Sequence, residues 1–209
     1  MKIYLLRHAQ TLSNAQHKIQ GSLQSDLSPL GILQAKACAQ YFKDTKIQFA
    51  YCSLLSRTHQ TAAEILKYHE GIFLQETGLL NELNAGILEG MTAEQILKSH
   101  PEFLHPPENN HLNIMARIPK GENYGEVRDR VMPFFENLAR LFEGKTILVV
   151  AHGAVNKVVL SWLLEKPPEY YYELSQANAC INEIEFKKGH WKVNKIEYTG
   201  HLKNVMRRE

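Results

Sequence analysis

The chain has 209 residues, enough for one well-filled core, so a single domain spanning 1–209 is expected. Hydrophobic residues make up 44% and charged residues 22%, ordinary values for a globular protein. The net charge of +2 excludes a strongly one-signed molecule, so neither nucleic acid nor membrane is expected as a partner.

Cys38, Cys52 and Cys180 are odd in number and form no C-x-x-C pair. Reduced, packed thiols in a cytoplasmic protein are therefore expected. Arg7 cuts the apolar start short, so no signal peptide is expected. No stretch approaches the ~20 apolar residues of a membrane helix.

Met1 to Leu6 is a short apolar run, too short for a helix, and predicts a buried strand that stops at Arg7-His8. Residues 12–27 read as a polar loop. Ser28-Pro29 signals a helix start, and Leu30, Leu33, Ala37 and Tyr41 give it an apolar spacing to about Lys43. Residues 47–52 predict a second strand. Ser56 is the expected cap of a helix over 57–67, with Ala62, Ile65 and Leu66 inward. Residues 72–74 predict a third strand, and Leu79–Leu83 leads into a loop containing Gly86 and Gly90.

Thr92–Ser99 predicts a short helix stopped by Pro101. The stretch to Gly121 holds Pro101, Pro106, Pro107 and Pro119, with His100, His105 and His111, and no periodicity. It reads as an irregular lid or specificity segment, about 91–121. Asn123 is the expected cap of a helix whose stripe is Val127, Val131, Phe134, Phe135 and Leu138. Residues 145–151 are the clearest buried strand, ending in His152-Gly153. Residues 155–164 read as a helix. Residues 178–186 and 191–198 read as an antiparallel hairpin. Tyr170–Tyr172 is expected to pack beneath it, and Arg207-Arg208 to be a solvated end. The pattern predicts a single α/β domain.

Two apolar runs end in histidine, His8 and His152, and two arginines, Arg7 and Arg57, follow strand ends. If these strands are parallel neighbours, all four side chains meet at one sheet edge, where α/β proteins bind ligands. Forked arginine donors would suit phosphate oxygens, and a neutral imidazole would attack phosphorus. Glu82, beside the Leu79–Leu83 run, is the chosen proton donor for the leaving alkoxide.

Six blocks, in order, give the chain its resemblance. Arg7-His8-Ala9-Gln10-Thr11 through Asn14 is similar to the Arg-His-Gly-Glu-Thr-x-x-Asn signature of the histidine phosphatase superfamily, the phosphoglycerate-mutase-like proteins. Gln20-Gly21 and the 26–35 stretch resemble the residues next in order in that family. Ser53-x-Leu55-x-Arg57-Thr58-x-Gln60-Thr61-Ala62 resembles the second block. Glu82-Leu83 with Gly86–Gly90 resembles the block carrying the acid. Gly121-Glu122-Asn123 and Val150-Ala151-His152-Gly153 resemble the last two.

The resemblance implies a three-layer α/β/α sandwich with a mostly parallel central sheet and helices on both faces. It implies a phosphohistidine on His8, with Glu82 as acid and then base. Arg7, Asn14, Gln20, Gly21, Arg57, His152 and Gly153 are the implied phosphate contacts. No cofactor and no metal are implied, and His100, His105 and His111 lack a zinc-ligand pattern. Ala9 replaces the signature's Gly, so ordinary backbone is expected there. Gln10 replaces its Glu, removing a charge near the pocket.

The expected activity is that of a histidine acid phosphatase-type enzyme acting on small phosphate esters. Arg117 is the only arginine between Arg57 and Arg128, so the segment after Glu82 lacks the paired arginines of glycolytic mutases. It offers Phe103, His105, His111, Leu112 and Met115 instead, suited to a less charged or larger group. The alternatives are a 2,3-bisphosphoglycerate-dependent phosphoglycerate mutase and a non-catalytic phosphoprotein-binding module. Narrower phosphatase options are a cobalamin nucleotide-loop precursor and fructose 2,6-bisphosphate. The sequence sets no oligomeric state.

Overall fold

The protein is described by a computed structural model over residues 1–105 and 111–206; Pro106, Pro107, Arg207 and Arg208 lie outside the described residues. Alternation along β1 (Lys2–Arg7) sets the architecture. Ile3 and Leu5 enter one hydrophobic cluster while Tyr4 and Leu6 enter another, and all four are buried. A strand buried on both sides needs a helical layer on each. β4 (Thr146–Ala151) repeats the pattern, with Ile147, Val149 and Ala151 on the first side and Leu148 and Val150 on the second.

With β2 (Phe49–Cys52), β3 (Leu74–Glu76), β5 (Ile181–Lys187) and β6 (His190–Tyr198), these strands form one sheet in the order β3-β2-β4-β1-β5-β6. The first four are mutually parallel; β5 runs antiparallel to β1 and to β6. Helices α2 (Pro29–Phe42) and α3 (Ser56–Leu66) cover the Tyr4 side, and α5 (Tyr124–Leu141) and α6 (Gly153–Leu163) the Ile3 side. This is the expected sandwich with a mostly parallel sheet.

Several local expectations are corrected. The 12–27 loop contains α1 (Leu12–Ala15), started by a Thr11–Asn14 capping box. Helix α2 buries Gly31, Ala35, Cys38, Ala39 and Phe42, while Leu33 is 39% exposed. Its small residues face the core because Gly31 lies against the Gln10 carbonyl, where a Cβ would come within 1.9 Å. Ser56 is the first residue of α3 rather than its cap, and Leu55 precedes the helix without a side-chain cap. β3 begins two residues later than expected, leaving Phe73 86% exposed before it.

The described residues after α4 (Ala93–Ser99), 100–105 and 111–121, hold no long helix or strand, but they are anchored. Leu104 bridges Leu112, and Ile114 and Ile118 are buried in the Ile3-side core. Each such burial is worth about 1.5–3 kcal/mol, which makes this segment a wall rather than a loose flap. Tyr171 and Tyr172 pack with α6 in the same core, which also takes in Ile184 of β5, and they face a cleft. All three cysteines are buried and unpaired. Among the described residues no helix is long and apolar enough to cross a membrane.

Candidate active site

β1 and β4 are parallel neighbours with Arg7 opposite Ala151, so their next residues, His8 and His152, emerge side by side. The His8 N–H donates to the Ala151 carbonyl at 3.0 Å. The two rings meet edge to face with centroids 5.2 Å apart. A cleft of about 560 Å³ opens at this sheet edge, and its lining includes Arg7, His8, Asn14, Gln20, Gly21, Arg57, Glu82 and Gly153. The predicted residues are thus brought together, with His152 just behind the wall.

His8 is 2% exposed, and its Nδ1 lies 2.8 Å from the Ala9 carbonyl oxygen. A carbonyl only accepts, so Nδ1 carries the hydrogen and Nε2 keeps its lone pair. Burial, then the charges of Arg57 and Arg7, push the pKa of His8 well below the ordinary histidine value. The ring is therefore neutral at physiological pH. Ala9 has ordinary negative φ, and its N–H donates to Thr61 Oγ1 at 3.1 Å.

His152 is fully buried, and both its ring nitrogens are engaged. Nδ1 accepts from Arg57 Nε at 3.3 Å, which leaves Nε2–H to donate to Ser53 Oγ at 2.7 Å. Burial, then Arg57, holds its pKa well below the usual value, so this ring is neutral too. His152 thus stands behind Arg57 and is not among the residues that line the cleft. Arg57, 1% exposed, also donates from Nη1 to Leu23 O and from Nη2 to Gly21 O, both at 2.8 Å. Burial lowers its pKa to about 10, which leaves it charged at neutral pH.

Arg7 donates from Nη1 to the Gln176 carbonyl, and its buried Nε has no partner among the described residues. Gly153 opens α6 against that guanidinium; a Cβ there would lie 3.4 Å from Nε. Asn14 Oδ1 accepts from Thr11 N–H at 3.2 Å and from Asn178 Nδ2 at 3.1 Å, so its amide donors are left for the cleft. Gln20 is buried, and its Oε1 has no partner among the described residues. Gly21 has φ +52°, and a Cβ would clash with Glu89 Oε1 at 2.1 Å.

Glu82 sits at the N-terminus of α6. Its carboxylate accepts from Leu83 N–H at 3.0 Å, Ala154 N–H at 3.3 Å and Val155 N–H at 3.4 Å. The Gly121–Asn123 block holds the loop that carries it. Glu122 accepts from Asn84 N–H at 3.0 Å, and Arg130 bridges Glu122 Oε1 at 2.8 Å and the Glu82 carbonyl at 3.2 Å. Burial opposes the Glu122 charge, but Arg130 and Asn84 keep its pKa below the ordinary carboxylate value.

Sequence reasoning missed Ser53, Asn178, Gln176, Arg130, Lys18 and Lys157. Ser53 stands inside one of the six blocks, and Lys157 comes five residues after His152, one helical turn past Ala154. The others have no local signal, since their partners lie far away in sequence. From the 91–121 segment, His111, Leu112 and Ile114 line the cleft, whereas Phe103, His105 and Met115 do not. Gln10 turns away to accept from Ser28 Oγ at 2.7 Å, so its missing charge is not at the pocket. Among the described residues no group of three or more His, Cys, Asp or Glu side chains could hold a metal ion.

A pocket of two arginines around a neutral histidine, at the edge of a sheet ordered β3-β2-β4-β1-β5-β6, is that of an α/β protein suited to holding an anion. The chain belongs to the histidine phosphatase superfamily (branch 1), whose family model matches residues 3–199. It is 31% identical over 191 residues to the probable phosphoglycerate mutase GpmB of Yersinia pestis (strain Pestoides F), covering 91% of this chain and 87% of that one. It resembles a putative alpha-ribazole-5'-P phosphatase from Escherichia coli K-12, with TM-score 0.84, 23% identity and coverage of 95% and 96%. A mutant phosphoserine phosphatase from Entamoeba histolytica, in complex with phosphoserine, aligns with TM-score 0.81, 28% identity and coverage of 96% and 98%.

Proposed function

We propose that this protein hydrolyses small organic phosphate monoesters through a phosphohistidine on His8. The observation carrying the proposal is the state of the His8 ring: neutral, with Nδ1–H held by Ala9 O and the Nε2 lone pair free between Arg7 and Arg57. Nε2 forms a bond to phosphorus as the ester P–O bond breaks. Arg7, Arg57, Asn14, Gln20 and the backbone at Gly21 and Gly153 surround the phosphoryl oxygens, and their donors stabilise the charge that develops. His152 supports Arg57 through Nδ1. Glu82 gives its proton to the leaving oxygen, takes one from the attacking water, and phosphate departs as the P–N bond breaks. No metal enters the scheme. The three unpaired cysteines support a reducing compartment, the cytoplasm.

Mutase chemistry is the second reading, favoured by the name of the Yersinia relative. It would require the phosphoryl group on His8 to wait for a second organic acceptor instead of water. The lack of paired arginines after Glu82 supports hydrolysis.

The test is turnover of a nitrophenyl phosphate and of an alkyl phosphate with chelator present, alongside a phosphoglycerate mutase assay. Hydrolysis that survives chelator and exceeds mutase turnover is expected; mutase turnover equal to hydrolysis would overturn the reading. Glu82→Gln sharpens it. In kcat/KM, which reports phosphoryl transfer to His8 and not the later water attack, loss of the proton donor should cost the alkyl ester about 100-fold and the nitrophenyl ester only a few-fold, because nitrophenolate leaves without a proton.

A further inference from the structure

Beyond the phosphate pocket, the cleft carries a positive charge that the phosphoryl chemistry does not use. Lys157 lies on the face of α6 that begins at Gly153 and Ala154, and all three line the cleft. Gly153 abuts the Arg7 guanidinium. Lys157 is four residues on, about 6 Å further along the helix axis. Its ammonium is seated over the Tyr171 ring, 4.7 Å from the centroid, a contact that fixes the cation in place. Lys18 lines the same cleft, as does His111.

The charges around the cleft do not balance. The lining contains four cations, Arg7, Lys18, Arg57 and Lys157, and two carboxylates, Glu82 and Glu173. None of the four cations forms a carboxylate ion pair within 4.0 Å among the described residues. A phosphate dianion held by Arg7 and Arg57 leaves Lys18 and Lys157 as the cleft cations it does not use. Burial lowers the Lys157 pKa and nearby Arg7 adds to the shift, while Glu197 and Glu82 partly offset it; an incoming anion would add to that offset.

We infer that Lys157 is a specificity-determining residue that selects phosphate esters carrying a second anionic group, a carboxylate or a second phosphate. This rests on the hydrolase reading for its orientation, with the ester phosphate at His8. It corrects the expectation, drawn from the 91–121 segment alone, that the cleft suits a less charged group. The selecting cation comes from α6, outside that segment.

A homologous three-carbon series tests it: propane-1,3-diol monophosphate with a neutral tail, 3-phosphooxypropionate with a carboxylate tail, and propane-1,3-diol bisphosphate. Binding of each to the full-length His8→Ala protein is measured by calorimetry, with and without Lys157→Met. Binding needs no turnover, so hydrolysis of the neutral-tailed ester by the unsubstituted protein judges the hydrolase reading separately. The charged tails should bind about tenfold more tightly than the neutral one, and Lys157→Met should remove most of that preference. Whichever charged tail binds tighter, after the statistical factor of about two for the symmetric bisphosphate, identifies the anion. Equal binding of all three, or a preference that survives Lys157→Met, overturns the inference. No binding of any ester overturns the inference, and the hydrolase reading falls with it only if the unsubstituted protein also fails to hydrolyse the neutral-tailed ester. Lys157→Gln replaces Lys157→Met if the methionine variant melts early.

Discussion

The ends of β1 and β4 invite comparison because the chain builds them alike and uses them differently. Each is an apolar run finished by histidine, and their parallel register puts His8 and His152 level. Both rings are buried and neutral. What separates them is the partner of each nitrogen. His8 gives Nδ1–H to its neighbour's carbonyl and keeps Nε2 free at the cleft. His152 gives Nε2–H to Ser53 and accepts Arg57 with Nδ1, so no lone pair is left for phosphorus. Strand position brings a side chain to the sheet edge, but the partners it meets there set its chemistry.

The sharpest way to break this contrast is to remove each member in turn. His8→Ala should cut kcat by about 10⁴-fold or more while leaving ester binding measurable, read by steady-state kinetics beside calorimetry. Arg57→Ala comes next. It removes donors from the phosphate, so kcat/KM should fall about 10³-fold, with KM rising as well.

His152→Ala should be milder, about 10- to 100-fold in kcat/KM, since it acts by loosening Arg57. It should also cost about 1–3 kcal/mol of stability in denaturant titrations, because Arg57 Nε and Ser53 Oγ lose a buried partner. A loss as complete as that of His8→Ala would erase the distinction between the two strand ends.

The smallest effect is one of pH on stability. Both rings stay neutral when folded, but unfolding frees them to protonate below about pH 6.5. The unfolded chain then binds more protons, so stability should fall as pH drops below that value and be flat in these groups above it. Each histidine adds a slope of up to about 1.4 kcal/mol per pH unit. His201, buried beside Cys38 and pushed down to about 4, adds to the same trend. Melting curves between pH 5 and 8 read the slope, and it should be shallower in His152→Ala.

Much of the fold and site is legible in the sequence because the informative residues are local. Strands β1 and β4 are uninterrupted apolar runs, and Ser28-Pro29 and Asn123 are strong helix starts that α2 and α5 obey. The ordered blocks from Arg7 to Gly153 point to His8, Arg57 and Glu82, which the fold gathers around one cleft. Where the reading fails, tertiary contact overrides local pattern. Helix α2 turns its small face inward because the Gln10 backbone needs room at Gly31. Arg130 supports the Glu82 loop from 48 residues away, and Asn178 reaches His8 O across 170, distances that no local pattern encodes. Lys157 is hidden in the sequence because the apolar stripe of α6 dominates its pattern.

The central claim is that one histidine of the pair carries the phosphoryl group. The measurement is mass spectrometric mapping of the protein after brief mixing with a phosphate ester and an alkaline quench, which preserves phosphohistidine. The account predicts a phosphoryl group on His8, at Nε2, none on His152, and none at all in His8→Ala. Phosphorylation of His152, or rapid turnover with no phosphorylated protein under any quench time, would contradict it.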